Sequence, residues 1–258
     1  MKCKYPIILV HGIALKDVKF FKAFGRIENI LKEEGNIVYT SVTDGFGTIE
    51  NNAQQLKEQI LEILEKHNVD KVNLICHSKG GLDSIYMIEN LKMEEHVASL
   101  TSLSTPYKGS PIANFLLKLP KFIIRILAFW INLIYKIFKD KKPDAYKVCM
   151  QLKEKESIES EMLNINNIYV QSYSSTLKKS RDDFIMGIPL LYFKYFKKGD
   201  SDGMVSRESS KFGEFKGDML DESISHAEMV DFTLNKNKKE KVYAFYLNLV
   251  HDLKNKGF

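Results

Sequence analysis

Apolar runs alternate with amphipathic stretches along most of this chain. Residues 6–10 (Pro-Ile-Ile-Leu-Val) form a continuous apolar run, the pattern of a strand buried on both faces. Over residues 17–34, Val18, Phe21, Phe24, Ile27, Ile30 and Leu31 recur at helical spacing, and Gly35 follows as a stop. Residues 37–42 read as a second strand and 44–47 (Asp-Gly-Phe-Gly) as a turn. Residues 51–67 read as a helix with Leu56, Ile60, Ile63 and Leu64 on one face. Residues 72–76 form a third apolar run, after which Leu82, Ile85, Tyr86 and Ile88 begin another helix. Further strands are expected at 97–103 and 168–173, and a C-terminal helix at 240–254. This alternation predicts an α/β fold in one domain, residues 1–258, with a mainly parallel sheet and helices on both faces. Ligands then lie beyond the carboxyl ends of the strands.

The third run ends at Cys76-His77-Ser78-Lys79-Gly80-Gly81-Leu82, a strand, a sharp turn and a helix with a serine at the apex. Such a turn strains the serine's backbone and holds its hydroxyl clear of the sheet, which suits a nucleophile. Strand and helix approach closely there, so small residues must flank the serine. Gly80 meets that need on one side. Cys76 stands where the G-x-S-x-G pattern has its first glycine. His11-Gly12-Ile13 follows the first strand, with Gly12 letting the chain turn. Two main-chain N–H groups, of Ile13 and of Lys79, are placed to form an oxyanion hole.

Composition narrows the class. The chain has 258 residues, 44% hydrophobic and 28% charged, which excludes a disordered protein. Its net charge of +5 comes from dispersed lysines, and no nucleic-acid-binding motif is present. Three cysteines without paired spacing argue against a disulfide framework and fit a reducing compartment. The first strand begins almost at Met1, with no apolar leader before it, so a cytoplasmic location is expected.

Residues 6–13, 76–82, 105–110 (Thr-Pro-Tyr-Lys-Gly-Ser) and 202–206 (Asp-Gly-Met-Val-Ser) together resemble the bacterial triacylglycerol lipase family of the α/β-hydrolase fold. Tyr107 stands where that family has histidine. The resemblance implies an α/β-hydrolase with a catalytic serine, a lid, and lipid esters as substrates. It also raises a structural calcium site, held in some relatives by an acidic residue two positions beyond the catalytic histidine. Glu228 matches that position, with Asp182 and Asp183 as nearby acidic residues. No Cys/His spacing suggests zinc, so no metal ligand is assigned and no cofactor is expected beyond that calcium question.

Serine needs a histidine to take its proton and a carboxylate to orient that histidine. In this fold the chain order is serine, acid, histidine. Of six histidines, His11 and His67 precede Ser78, and His77 adjoins it but points away from the turn. His96 comes too early, and His251 sits in a helical stretch. That leaves His226, in the polar loop 223–228. The loop 199–205 offers Asp202 as the acid, with Asp200 in reserve; the Asp-Gly-x-Val segment of the family matches Asp202.

Residues 111–143 break the alternation. On a helical wheel Lys118, Lys121, Asn132, Lys136 and Lys139 cluster around Arg125, a narrow cationic stripe on an apolar rod. A membrane-spanning helix is disfavoured by its central charges, and a buried core helix is poorly placed here. A lid over the active site, laying its apolar face on lipid, fits best. The insert 111–143 is therefore expected to be a lid, with residues 118–139 contacting a membrane or lipid interface and the protein peripherally attached. Pairing with another chain is the competing use of that face, and no oligomeric state is assigned. The aromatic stretch 184–196 fits either an acyl pocket or packing.

The resulting expectation is a serine carboxylic-ester hydrolase acting on lipid esters through Ser78, Asp202 and His226. The alternatives are a phospholipase or acyltransferase with the same triad, or a catalytically silent membrane-surface binding protein.

Overall fold

The computed structural model describes residues 2–14, 16–18, 21–154, 165, 167–183, 186, 191 and 199–258. Six parallel strands form one sheet in the order β2-β1-β3-β4-β5-β6. They are β1 (Ile7–Val10), β2 (Val38–Thr40), β3 (Val72–His77), β4 (Val97–Leu103), β5 (Tyr169–Ser174) and β6 (Glu214–Asp218). Among the described residues the α-helices are α1 (Ile27–Glu33), α2 (Ile49–His67), α3 (Lys79–Asn90), α4 (Pro111–Leu116), α5 (Lys121–Ile137), α6 (Ala145–Gln151) and α7 (Lys236–Asn255).

Every residue of β1, β3 and β4 is buried, which is why these strands read as unbroken apolar runs. Side chains alternate between the two faces. Ile8, Val10, Leu74, Cys76 and Leu100 pack against α2 and α3 through Leu56, Ile60 and Ile85. Ile7, Leu9, Ile75 and Leu103 pack on the other face against Ile27 and Leu31 of α1 and Val242, Tyr246 and Leu249 of α7. Thr48 caps α2 by accepting the Asn51 N–H, and Asn68 ends it in the left-handed region. The chain order reverses direction between β1 and β3, so their carboxyl ends open a crevice.

Three expectations are corrected. The helix expected over 17–34 begins only at Ile27. Gly25 has φ +50°, and Asp231 accepts the Arg26 N–H at 2.9 Å, filling the space a preceding turn would need. A carboxylate from 205 residues away thus supplies the start of α1. Second, the helix expected over 118–139 is shorter: α5 opens after Pro120 and ends at Ile137, so Lys118 and Lys139 lie outside it. Third, β6 was not foreseen. It is an edge strand whose sequence, Glu-Phe-Lys-Gly-Asp, has neither an apolar run nor a buried face. Most of the aromatic stretch 184–196, and the end of the polar stretch after α6, lie outside the described residues.

Asp231 also accepts the Tyr243 hydroxyl of α7 at 2.9 Å, so one carboxylate joins α1 to α7. Asp231→Ala orphans both donors and should destabilise the fold by about 1–3 kcal/mol. A thermal melt read by circular dichroism should show a midpoint several degrees lower.

Candidate active site

β3 carries the chain into the crevice, and Ser78 turns it. Ser78 has φ 55° and ψ −133°, a conformation that costs a non-glycine residue on the order of 1–3 kcal/mol. Hydrogen bonds to its main chain hold it there. The Ser78 N–H donates to Leu103 O and the Thr105 hydroxyl donates to Ser78 O, each at 2.9 Å. Glycine is required where backbone meets backbone: a Cβ on Gly80 would lie 2.5 Å from Val10 O. At the other flank Cys76 has room, with its Sγ 3.2 Å from the Ser84 hydroxyl. Burial pushes that thiol up to about 12, so it is inert.

Gly12 serves differently from the turn role expected of it. Its φ is not in the left-handed region; it is needed because a Cβ there would sit 2.6 Å from Ser78 Cβ and 3.1 Å from Ser78 Oγ. Ile13 follows on the cavity wall beside Ser78. Lys79 is the first residue of α3. Neither main-chain N–H has an acceptor among the described residues. The Lys79 ammonium turns away from the cavity into a buried pair with Asp83, at 2.6 and 2.9 Å. Burial pushes the Asp83 carboxyl up to about 6 despite that partner.

His226 and Asp202 come together across 24 residues. The His226 Nδ1–H donates to Asp202 Oδ2 at 2.7 Å, leaving Nε2 as the nitrogen that can exchange a proton with Ser78. Asp202 Oδ1 accepts the N–H groups of Met204 and Val205 at 2.9 and 2.8 Å, and the His226 N–H donates to Asp202 O at 3.0 Å. Asp202 is fully buried and accepts three hydrogen bonds through its carboxylate, which suits an orienting group. Asp200, the reserve candidate, is exposed. Ser78 and His226 open on one cavity of about 510 Å³. A direct Ser78–His226 hydrogen bond is not among those of the described residues; catalytic hydrogen bonds of this kind tighten as substrate binds.

The remaining histidines are engaged elsewhere. His11 bonds Gly12 O and Thr43, and burial pushes its pKa down to about 4. His67 meets the Tyr39 hydroxyl, and His96 donates to Asp70 O. His77 reaches the His226 main chain, a contact that chain-order reasoning did not anticipate.

α5 roofs the cavity. Ile124, Leu127, Ala128 and Ile131 line it from above, and Ile112 and Leu116 of α4, Val148 of α6 and Leu152 just after α6 close its sides. Met186 and Met204 complete one wall, so the 184–196 stretch touches the cavity at its one lining residue described.

The calcium position does not fit a metal. Both Glu228 oxygens lie 2.8 Å from the Lys238 ammonium, and the Ser225 N–H and Thr233 hydroxyl donate to the same carboxylate at 2.9 Å. Asp182 and Asp183 accept the hydroxyls of Ser223 and Ser225. Among the described residues no group of three or more acidic, histidine or cysteine side chains could hold an ion.

A parallel sheet with this strand–serine–helix turn at its carboxyl edge defines an α/β-hydrolase, here a carboxylic-ester hydrolase. Residues 6–233 match the palmitoyl protein thioesterase family, and the chain belongs to it. It is also similar to triacylglycerol lipase 2 of Saccharomyces cerevisiae, 28% identical over 90% of this chain and 73% of the yeast protein. A triacylglycerol lipase of Pseudarthrobacter phenanthrenivorans is 37% identical over 43% of this chain, a stretch that spans only 36% of that enzyme. The solved Staphylococcus hyicus lipase superposes with a TM-score of 0.69, covering 98% of this chain and 96% of that one at 15% identity. A mature Bacillus licheniformis lipase gives 0.67, covering 96% and 92% at 18% identity.

Gly12→Ala should leave the chain folded but push Ile13 and Ser78 apart. Losing one oxyanion donor lowers kcat about 100- to 1000-fold, and steady-state hydrolysis of a soluble p-nitrophenyl ester should show a loss of that size.

Proposed function

We propose that this protein hydrolyses long-chain, uncharged lipid esters through an acyl-enzyme formed on Ser78. The observation that carries the reading is the cavity. It meets Ser78 and His226 at one end, and no Lys, Arg, Asp or Glu among the described residues lines it. Its volume of about 510 Å³ holds on the order of fifteen methylene-sized units, at about 30 Å³ for a water-sized one. An acyl chain of that length gains burial with every carbon, whereas a phosphate would meet no cation among the described lining residues. This favours neutral esters over phospholipids.

The chemistry follows from the geometry. Ser78 Oγ attacks the ester carbonyl while His226 Nε2 takes its proton. Asp202 holds the imidazole in the tautomer that makes this work and stabilises the imidazolium. The oxyanion of the tetrahedral intermediate lies against the N–H groups of Ile13 and Lys79. The bond to the leaving oxygen breaks, and His226 returns the proton to it. Water then attacks the acyl-Ser78 ester, again through His226, and releases the acid. A thioester, the substrate in the name of the family, would pass through the same steps with a thiol leaving. No step needs a metal, because Lys238 supplies the cation beside Glu228.

The outer face of α5 supports docking on a lipid surface. Phe122, Ile126, Phe129, Trp130 and Ile137 stand at least half exposed there, while Ile124 and Ala128 face the cavity. Lys118, Lys121, Arg125, Lys136 and Lys139 flank that face, and no acidic residue occurs from 111 to 139. A helix of this kind lies in the headgroup layer and prefers anionic lipid. No helix of the described residues is long and apolar enough to cross a membrane. Three free cysteines fit a reducing compartment, so the surface proposed is the cytoplasmic face of a membrane.

A fluorophosphonate should label the wild-type protein at Ser78 and leave Ser78→Ala unlabelled; an unlabelled wild type would mean a lipid binder without catalysis. Among p-nitrophenyl esters, kcat/KM should rise from acetate towards chains of twelve to sixteen carbons, without loss in EDTA. A profile that peaks at acetate, or activity that needs added calcium, contradicts the proposal.

For docking, the full chain should co-sediment with vesicles containing phosphatidylserine and bind phosphatidylcholine vesicles more weakly. Replacing Phe129, Trp130 and Ile137 by serine should reduce sedimentation at least tenfold while soluble-ester activity stays. Unchanged sedimentation would rule out docking through α5.

A further inference from the structure

His77 is the last residue of β3 and is fully buried. Strand alternation sends Cys76 towards α3 and His77 to the opposite face, shared with Ile75. That face also carries Ile224, Met229 and Val230, the residues that seat the His226 loop. The His77 ring therefore lies against His226, with ring centroids 4.4 Å apart, and its Nε2 is 3.0 Å from the His226 main-chain oxygen.

A carbonyl oxygen can only accept, so His77 carries its proton on Nε2. Its Nδ1 is buried without a partner. A buried polar atom left in that condition is destabilising and calls for a reason. Burial, and then the neighbouring His226 imidazole, hold the His77 pKa well below the usual histidine value. The ring is thus neutral, and it adds no charge beside the imidazolium that forms during turnover. His226 is otherwise tied to the acid's own loop, through Asp202 Oδ2 and Asp202 O. Among the described residues, the His77 bond is the hydrogen bond that ties His226 to the strand bearing the nucleophile.

We propose that His77 is a positioning residue: its Nε2–H···O bond fixes the backbone of the base to the nucleophile's strand and so sets the Ser78–His226 separation. The proposal rests on the reading of Ser78 and His226 as nucleophile and base. It predicts a specific kinetic signature, because a misplaced base slows the chemical step and leaves substrate binding intact.

The test uses the full-length chain. His77→Phe keeps a buried ring and removes the donor; His77→Gln keeps an N–H donor of similar reach. With a soluble p-nitrophenyl ester, His77→Phe should lose at least tenfold in kcat with KM within twofold, and His77→Gln should recover most of the loss. Circular dichroism checks that both variants fold. In the wild type, long-range proton–nitrogen correlation NMR should show His77 as the Nε2–H tautomer. A His77→Phe enzyme within twofold of wild-type kcat overturns the proposal, as does a His77 in the Nδ1–H tautomer. Should His77→Phe fail to fold, a folded His77→Gln with a tenfold loss overturns it equally. Fluorophosphonate labelling of the wild type separates the two levels. A labelled Ser78 with a fully active His77→Phe refutes only the role of His77, and an unlabelled Ser78 refutes the functional reading beneath it.

Discussion

The structure depends on one strained residue. Ser78 sits at φ 55° between a strand and a helix, and it stays there because the surroundings leave it no alternative. Gly12 and Gly80 let two stretches of backbone come within contact distance of the turn. Leu103 O and the Thr105 hydroxyl take up its main-chain groups. Three separate parts of the sequence converge on this point, and each supplies something no side chain at position 78 could supply for itself. The reward is a hydroxyl held at the mouth of the cavity without a rotamer search, and an adjacent helix start with a free N–H.

Around that point the polar groups form reciprocal clasps. Asp44 accepts the N–H groups of Lys141 and Lys142 at 2.8 and 2.7 Å, while Asp140 accepts those of Gly45 and Phe46 at 3.1 and 3.0 Å. The loop after β2 and the segment after α5 thus each cap the other. Lys16 bridges both carboxylates, at 3.6 Å to Asp44 and 2.8 Å to Asp140. The Tyr135 hydroxyl of α5 donates to Ala14 O at 3.0 Å, one residue beyond Ile13. The roof of the cavity is therefore fastened at its C-terminal end to the same loop that carries Ile13. The outer face of that roof remains apolar and exposed, so burial alone has not finished its work.

Part of the candidate site was legible because its groups sit in short local patterns. The strand–serine–helix turn, the Gly12-Ile13 pair and the Asp-Gly-x-Val loop each show within a few residues. Chain order then selected His226 from six histidines. Other parts were not legible because their partners are distant. Nothing near His77 announces that it meets the His226 carbonyl 149 residues later, and nothing near Glu228 announces that Lys238 will occupy its carboxylate. The late start of α1 belongs to the same class, since the carboxylate that sets it lies 205 residues away.

By itself, then, the sequence determined the elements whose burial is uniform: β1, β3, β4, the periodic helix α2 and the nucleophile turn between β3 and α3. Their hydrophobic pattern is a direct image of the faces they bury, so periodicity suffices. Only the tertiary structure decided the edge strand β6 and which side of α5 looks inward. On a helix apolar almost all round, pattern cannot choose a face; contact with the cavity and with α6 does. The contact of His77 with the His226 main chain was decided the same way, by the sheet that brings distant loops to one edge.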